Sequence, residues 1–163
     1  RGEQEIPEDG CVINFQGSEE GLAARFAVGA AAEYKVLMSD GSDRTGFWGR
    51  VSEGLGAGPK LVSGGRVSYS AESAKAEGFT EAKILSQSSA RSGLALTKDG
   101  DLLMVTCAAA TMAQFAEVMH AMGAVEAMNL DGGASSGLVY GGRYLTKPGR
   151  TLSNALVVLV DGR

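Results

Sequence analysis

Histidine and cysteine are scarce in this sequence, and their scarcity excludes several kinds of site. Among 163 residues there is one histidine, His120, and there are two cysteines, Cys11 and Cys107. The cysteines do not form a Cys-x-x-Cys pair, so we expect no structural zinc site. Few other acids lie near Asp131 in the sequence, which disfavours a calcium site, and we expect no other bound metal and no cofactor. A single histidine also gives a Ser-His-Asp triad little support. The two cysteines form either one disulfide or, as is commoner in a chain of this size, buried thiols.

Long apolar runs and an excess of basic charge are also missing. No run approaches the ~20 apolar residues of a membrane span, so we predict none. The net charge is −4, acids and bases are interspersed, and there is no aromatic or basic stripe. Nucleic acid is therefore not an expected partner. The length suits one domain, residues 1–163, with a single sizeable core.

Glycine is abundant instead. The 24 glycines are about twice the usual ~7% share and are spread along the chain, which indicates tight turns between short strands. Before residue 78, we predict short strands at residues 12–14, 34–38 and 66–70, a glycine-rich loop at 54–65 with a brief extended stretch at 60–62, and a helical turn at 71–77. Residues 22–28 fit either a helix or a strand.

The middle of the chain predicts a hairpin and a helix. Strands at 94–97 and 102–106 flank the turn residues Lys98-Asp99-Gly100. The period then changes from two residues to a helical spacing of 3, 4 and 3, which places four apolar side chains on one helix face: Met112, Phe115, Met119 and Met122. Thr111 and Gln114 match a capping box, and Gly123 lies where a glycine ends a helix. We expect the apolar face to pack on the sheet and to cover Met128 or Leu130. His120 lies beside this face, where we expect it to be solvated.

The C-terminal third predicts further strands and completes the fold class. A strand at 125–130 is followed by a hairpin of 138–140 with 143–145, whose turn is Gly141-Gly142. The last strand, 154–160, is almost entirely apolar and is predicted to be central in the sheet. We predict an α+β fold: a mostly antiparallel or mixed sheet of short strands with one main amphipathic helix packed on it.

One segment of eight residues, 129–136, combines an amide, an acid, two glycines and two serines directly after an apolar strand. Alternation along that strand places Asn129 and Asp131 on one face, with Met128 and Leu130 on the other. Such a mixture of groups suits a polar substrate that carries both hydroxyls and negative charge.

The glycines of this segment have two interpretations. Gly132 and Gly133 lack a Cβ, so their backbone N–H groups can approach a ligand closely, and the hydroxyls of Ser135 and Ser136 add short donors. Alternatively, Asp-Gly-Gly is only a hairpin turn, because Asp and Gly are favoured wherever φ is positive.

The same segment carries a resemblance to a known family. Asn-Leu-Asp-Gly-Gly-Ala-Ser-Ser at 129–136 and Arg-Thr-Leu-Ser-Asn-Ala-Leu-Val-Val at 150–158, with weaker similarities at 6–13, 56–62 and 90–95, resemble the phosphodiester glycosidase family. The best-known member removes N-acetylglucosamine from mannose 6-phosphate diesters. The resemblance implies a hydrolase that cleaves a sugar 1-phosphodiester in a glycan or envelope polymer. It also implies an extracytoplasmic location: secreted, periplasmic or envelope-associated.

A carbohydrate or glycan-phosphate ligand gives the polar residues definite roles. Asp131 can activate water or stabilise an oxocarbenium-like centre, and Asn129 can bind sugar hydroxyls or orient Asp131. Arg91 and Arg150 can hold the phosphate, because guanidinium binds phosphate in a bidentate manner. We expect these four side chains to converge on one cleft. The predicted substrate-binding set is completed by Gly132, Gly133, Ser135, Ser136 and Asn154.

Two departures from the family pattern bear on activity. The family's upstream strand with an Asn-Gly-x-Phe-Phe motif is not found in this sequence, which begins at Arg1, and residues 107–110 read Cys-Ala-Ala-Ala where the family has an Asp-Gly-Arg loop. We therefore expect slow or absent turnover by this chain alone, and recovery with the upstream segment or a companion chain. The alternatives are a non-catalytic module that binds glycans or glycan phosphates in a larger secreted protein, and a purely structural domain.

Overall fold

A computed structural model of the chain describes residues 5–35, 45–51 and 54–159. The chain divides into two compact units, Arg1–Glu53 and Gly54–Arg163. None of the helices among these residues has the length and apolar character needed to cross a membrane. Whether the two units act as one domain, as we predicted for residues 1–163, stays a prediction.

The first unit contains short helices and loops. A 3-10 helix, Gly17–Arg25, buries none of its residues, and the rings of Phe15 and Phe26 lie 5.6 Å apart on either side of it. A one-turn helix, α1, spans Thr45–Trp48. The strand predicted at 12–14 is wrong: Val12 and Ile13 are exposed and have no regular structure. Alternation alone does not make a strand where no neighbouring strand supplies hydrogen bonds.

Two other secondary-structure predictions concern the first unit. Residues 34 and 35 have no regular structure, and the rest of the strand predicted at 34–38 lies outside the described residues. The ambiguous segment 22–28 is helical in its first half, because the 3-10 helix ends at Arg25.

The second unit is built on a five-stranded antiparallel sheet in the order β2-β1-β5-β3-β4. Its strands are β1 (Lys60–Ser63), β2 (Arg66–Val67), β3 (Ser89–Thr97), β4 (Leu102–Ala110) and β5 (Ala124–Asn129). A separate hairpin pairs β6 (Leu138–Tyr140) with β7 (Arg143–Thr146). Three helices complete the unit: α2 (Ala71–Ala76), α3 (Ala82–Leu85) and α4 (Met112–Ala121). The α+β prediction is confirmed.

The β3–β4 hairpin is confirmed and is longer than its predicted strands. Each strand has nine residues, because pairing continues from the turn to Ser89 and Ala110. The turn closes with Thr97, whose hydroxyl accepts a hydrogen bond from the N–H of Asp101 at 3.1 Å. Strand β3 of this pair supplies residues close to the polar loop that follows β5.

Helix α4 begins and ends as the sequence predicts. The Thr111 hydroxyl accepts from the Gln114 N–H at 3.2 Å, and the Gln114 side chain accepts from the Thr111 N–H at 2.9 Å. Gly123 follows the last turn with φ of 88°, the left-handed conformation that glycine adopts without strain. His120 is exposed, as expected, and one of its ring nitrogens lies 3.1 Å from the Gly65 carbonyl oxygen.

The apolar face of α4 forms the centre of the core. Met112, Phe115 and Met119 are almost fully buried, and Gly93 of β3 lets the helix lie close, since a Cβ there would be 2.7 Å from Met119 Cε. Met122 is 48% exposed, so its predicted burial is wrong. It lies after the last helical turn, where the chain turns towards β5.

The prediction that α4 covers Met128 or Leu130 is also wrong. In the sheet, Gly93 pairs with Asn129 and Leu94 pairs with Met128. Directly opposite residues share a face and the faces alternate, so Met128 and Leu130 lie on the face opposite to α4.

The strand predicted at 154–160 is not formed. Residues 154–159 have no strand pairing and are exposed, and residue 160 lies outside the described part of the chain. Their apolar, β-branched composition favours a strand, but composition does not provide a hydrogen-bonding neighbour. The strand predicted at 66–70 is reduced to Arg66–Val67, because Ser70 is the N-cap of α2.

Candidate functional site

The polar loop begins where β5 ends. Strand pairing stops at Asn129, and one more backbone contact, from the Leu130 N–H to the Ser92 carbonyl oxygen at 2.8 Å, holds the chain against β3. The chain then turns through Gly132 into a short 3-10 helix, Gly133–Ser135. Asp131 lies two residues beyond the last paired residue, so its side chain leaves the sheet and is 70% exposed, whereas Asn129 is buried.

Residues 131–136 form a loop that we call the acid loop, and two of its side chains, Asp131 and Ser135, are hydrogen-bonded to Arg150. Arg150 donates from Nη2 to Asp131 Oδ2 at 3.3 Å and from Nε to Ser135 Oγ at 2.8 Å. The second carboxylate oxygen, Oδ1, accepts from the Gly132 N–H at 2.9 Å. A backbone hydrogen bond of 2.8 Å from the Gly149 N–H to the Ala134 carbonyl oxygen fixes the segment that carries Arg150 beside the loop.

The acid loop favours the ionised form of Asp131. The hydroxyl of Ser135 is the largest cause that lowers the pKa of Asp131 below its ordinary value of 3.8. That hydroxyl accepts from Arg150 and is left free to donate its proton to the carboxylate. The Gly132 N–H and the Arg150 guanidinium lower the pKa further, while partial burial acts in the opposite direction. At neutral pH Asp131 is therefore a carboxylate, suited to act as a base or an electrostatic stabiliser.

The two glycines of the loop serve different purposes. At Gly132 the backbone is extended, with φ of −125°, but a Cβ would lie only 2.7 Å from the Ala90 carbonyl oxygen. At Gly133 there is open space, but φ is 61°. The Gly132 N–H, which we expected to hold a ligand oxygen, is engaged by Asp131.

Asn129 lies under the loop and not within it. Its Nδ2 donates to the Gly58 carbonyl oxygen at 3.0 Å and to the Leu130 carbonyl oxygen at 2.6 Å. The side chain is 3% exposed, and its Oδ1 has no hydrogen-bond partner among the described residues. Asn129 thus fastens the end of β5 to the loop before β1.

Arg91 is brought close to the loop by its backbone, but its guanidinium is engaged elsewhere. The backbone Cα lies 3.8 Å from the position of a Cβ at Gly132. Nε donates to the Ala110 carbonyl oxygen at 2.9 Å, and Nη2 donates to the carbonyl oxygens of Lys83 and Gln87 at 2.7 and 2.6 Å. The side chain is almost fully buried, and this desolvation lowers the pKa of Arg91.

The structure thus brings together four of the predicted site residues through direct hydrogen bonds: Asp131, Gly132, Ser135 and Arg150. Gly133 and Ser136 belong to the same loop, and Ser136 is buried. Asn154 is exposed, and no hydrogen bond joins it to the loop in the described part of the chain. Residues 107–110 form the end of β4, where the Ala110 carbonyl receives Arg91.

Sequence reasoning did not find Ser92, Thr106 and Thr146. Ser92 lies directly opposite Thr106 in the sheet, and Thr106 Oγ1 is 2.7 Å from Thr146 Oγ1. Ser92 and Thr106 are brought together by the pairing register of β3 with β4, and Thr146 by its contact with Thr106. No local sequence pattern shows either of these.

A cavity of about 360 Å³ lies on the sheet face opposite to α4. Its lining is mainly apolar and includes Leu94, Leu96, Leu102 and Met128, together with Lys60. The acid loop does not line this cavity.

Cys11 and Cys107 are both free thiols, and Cys11 is exposed, contrary to the expectation that such thiols are buried.

Comparison with known proteins gives a family and one informative structure. The crystal structure of a hypothetical protein from Synechocystis is 36% identical in sequence over 58% of this chain, with a TM-score of 0.52. The matched part is 18% of that longer chain. No curated protein matches. The phosphodiester glycosidase family matches residues 2–159, nearly the whole sequence, and includes the acid loop. By this match, the chain belongs to the phosphodiester glycosidase family.

Proposed function

We propose that this chain carries the catalytic loop of a hydrolase that cleaves a sugar 1-phosphodiester. Water adds to the anomeric carbon, the bond from that carbon to the phosphate oxygen breaks, and a free sugar and a phosphate monoester are released. The observation that carries the proposal is the exposed Asp131–Arg150 pair, joined at 3.3 Å, in a member of this family.

The two charged side chains suit a phosphate leaving group. Arg150 has five N–H donors, and the bonds to Asp131 and Ser135 use two of them. Its side chain is 58% exposed, so the remaining donors can hold a phosphate through charge-assisted hydrogen bonds. Because a phosphate monoester leaves as a stable anion, it needs cations and donors more than it needs a general acid.

The ionised Asp131 complements this role. A carboxylate whose pKa is lowered accepts a proton poorly at rest, but it stabilises positive charge that develops at the anomeric carbon. Asp131 can also orient the attacking water and pass the proton that this water loses to solvent. We propose a carbohydrate or glycan-phosphate partner and an extracytoplasmic location together with this activity.

A hydrolysis assay tests the proposal. Free sugar released from a GlcNAc 1-phosphodiester is measured for the chain supplied with the upstream segment of the family pattern, and for the Asp131→Asn, Arg150→Gln and Asp99→Asn variants of the same protein. Loss of a catalytic acid or base typically costs ~10²–10⁴-fold, so we expect Asp131→Asn to lower the rate by about 100-fold or more. Asp99 is exposed in the β3–β4 turn, and its variant should retain the wild-type rate.

The result also separates the two functional classes. A rate that is unchanged by Asp131→Asn contradicts the proposed role of the acid loop. Binding of a sugar 1-phosphate with no release of sugar from the diester supports the alternative, a module that recognises glycan phosphates without cleaving them.

A further inference from the structure

A row of hydroxyl groups lies on the sheet face opposite to α4. Ser92 of β3 is directly opposite Thr106 of β4, a pairing that places their Cβ atoms roughly 5 Å apart. Thr106 Oγ1 is 2.7 Å from Thr146 Oγ1 of β7. Three hydroxyl side chains from three strands therefore follow one another across this face, and we call them the hydroxyl row.

Part of this polar surface lacks partners. Ser92 is 7% exposed and Ser136 is 3% exposed, and neither hydroxyl oxygen has a hydrogen-bond partner among the described residues. A buried hydroxyl without a partner is unfavourable, so such groups are normally satisfied by water or by a ligand. Ser92 lies opposite one of two hydrogen-bonded threonines and Ser136 lies in the adjoining loop, and together they indicate a place that accepts hydroxyls from outside the chain.

The hydroxyl row adjoins the acid loop. The Ser92 carbonyl oxygen accepts from the Leu130 N–H at 2.8 Å, one residue before Asp131. Thr146 pairs with Leu138 at the start of the β6–β7 hairpin, two residues after Ser136. The charged pair and the hydroxyl groups are thus fixed to each other by short backbone connections at the same end of the sheet.

The chemistry of the row differs from that of the acid loop. Each hydroxyl both donates and accepts, and none carries charge. Such groups match the hydroxyls of a sugar ring, which also donate and accept, whereas an anion can use only their donating half. A ligand that carries a sugar ring next to a phosphate fits the two parts of the site together.

We propose that Ser92, Thr106, Thr146 and Ser136 bind the hydroxyls of the sugar, while Arg150 binds its phosphate. This inference rests on the proposed function, because it assigns the two ends of the same substrate to separate residues. It identifies the hydroxyl row as the part of the site that selects a polyhydroxylated ring over any other phosphate ester.

Binding measurements on the intact chain test this division. Affinities for GlcNAc 1-phosphate and for inorganic phosphate are measured by calorimetry for the wild type, Ser92→Ala, Thr106→Val, Thr106→Ser and Arg150→Gln. Each lost hydrogen bond is worth ~1 kcal/mol, so we expect Ser92→Ala and Thr106→Val to weaken sugar phosphate binding about 5-fold or more. Their affinity for inorganic phosphate should be unchanged, and Thr106→Ser should bind as the wild type does.

The other variants complete the pattern. Arg150→Gln should weaken both ligands, and Thr80→Val, at an exposed hydroxyl outside the row, should weaken neither. Melting curves show whether each variant is folded. Should Thr106→Val fail to fold, Ser92→Ala, which removes one oxygen atom, carries the test.

Three outcomes overturn the inference: a wild-type protein that binds sugar phosphate no more tightly than inorganic phosphate, a Ser92→Ala variant with wild-type sugar affinity, or equal weakening of both ligands by that variant. The hydrolysis assay is read separately. Hydroxyl-dependent binding without hydrolysis, when the upstream segment is supplied, leaves this inference standing and overturns the proposed activity, whereas hydrolysis that is indifferent to Ser92→Ala and Thr106→Val overturns this inference alone.

Discussion

Replacing either glycine of the acid loop by alanine should destabilise the protein, for two different physical reasons. In Gly132→Ala the new Cβ meets the Ala90 carbonyl oxygen at 2.7 Å, closer than real Cβ contacts come. The obstacle is backbone, and β3 is held there by the three carbonyl contacts of Arg91 and by the bond from Leu130 to Ser92. The loop must therefore move, at a cost of roughly 1–3 kcal/mol.

In Gly133→Ala nothing lies within 4 Å of the new Cβ, but φ is 61°. A residue with a side chain costs roughly 1–2 kcal/mol in that conformation, and asparagine tolerates it better than most. Gly133→Asn should therefore recover part of the stability that Gly133→Ala loses. No such recovery is expected for Gly132→Asn, because any Cβ meets the same carbonyl oxygen.

Urea and thermal unfolding of the four variants give the comparison. A unit of this size loses about 4 °C of melting temperature for each kcal/mol. Gly132→Ala should also displace Asp131, whose Oδ1 depends on the Gly132 N–H, and so lower sugar release more than Gly133→Asn does. If Gly132→Ala were as stable as the wild type, the close approach of the loop to β3 would be refuted.

Three further predictions concern the core and the loop. Met119→Asp buries a charge at a fully enclosed position and should lower the free energy of unfolding well beyond the ~1 kcal/mol expected for the cap variant Thr111→Ala; equal melting shifts would contradict this. Arg91→Met leaves three backbone carbonyls without their donor and should cost roughly 3 kcal/mol or more in urea unfolding, with partial recovery in Arg91→Lys. The pKa of Asp131 is lowered by folding, so its small contribution to stability is present at neutral pH and disappears as the pH falls through its native pKa. The difference in urea midpoint between wild type and Asp131→Asn should therefore vanish in acid, and a difference that grows there would be inconsistent with the lowered pKa.

Local features of the fold could be predicted because local interactions produce them. The capping box at Thr111, the glycine that ends α4 and the turn around Gly100 each depend on residues within four positions of one another. The predicted helix and the hairpins match the structure for this reason. Met122 shows the limit of such reasoning, because a helical period says nothing about where the helix leaves its neighbours.

The errors arise where a remote partner decides the outcome. Residues 154–159 have the composition of a buried strand, but the described residues give them no strand to pair with. Arg91 was predicted to hold a phosphate because guanidinium binds phosphate in a bidentate manner. Only the folded chain shows that the carbonyl groups of Lys83, Gln87 and Ala110 surround its guanidinium.

The candidate site shows the same difference between features that local sequence determines and features that remote partners determine. The acid loop is nearly continuous in sequence, so its acid, glycine and serine were found from a motif, and Arg150 was found from a second motif. The hydroxyl row was missed, because Ser92, Thr106 and Thr146 are single polar residues in three separate strands.

The folded arrangement explains why the acid loop needs little side-chain support. Asp131 is held by a backbone N–H on one oxygen and by Arg150 on the other, and Arg150 in turn is held by Ser135. The loop rests on β3 through a glycine that only a missing Cβ allows to approach. Arg150 is exposed and available to a ligand and Ser135 is half-buried, while the rigid support of the loop comes from backbone. In the proposed function, a substrate phosphate therefore meets Arg150 through the donors that Asp131 and Ser135 leave free, and the carboxylate stays beside it for the sugar.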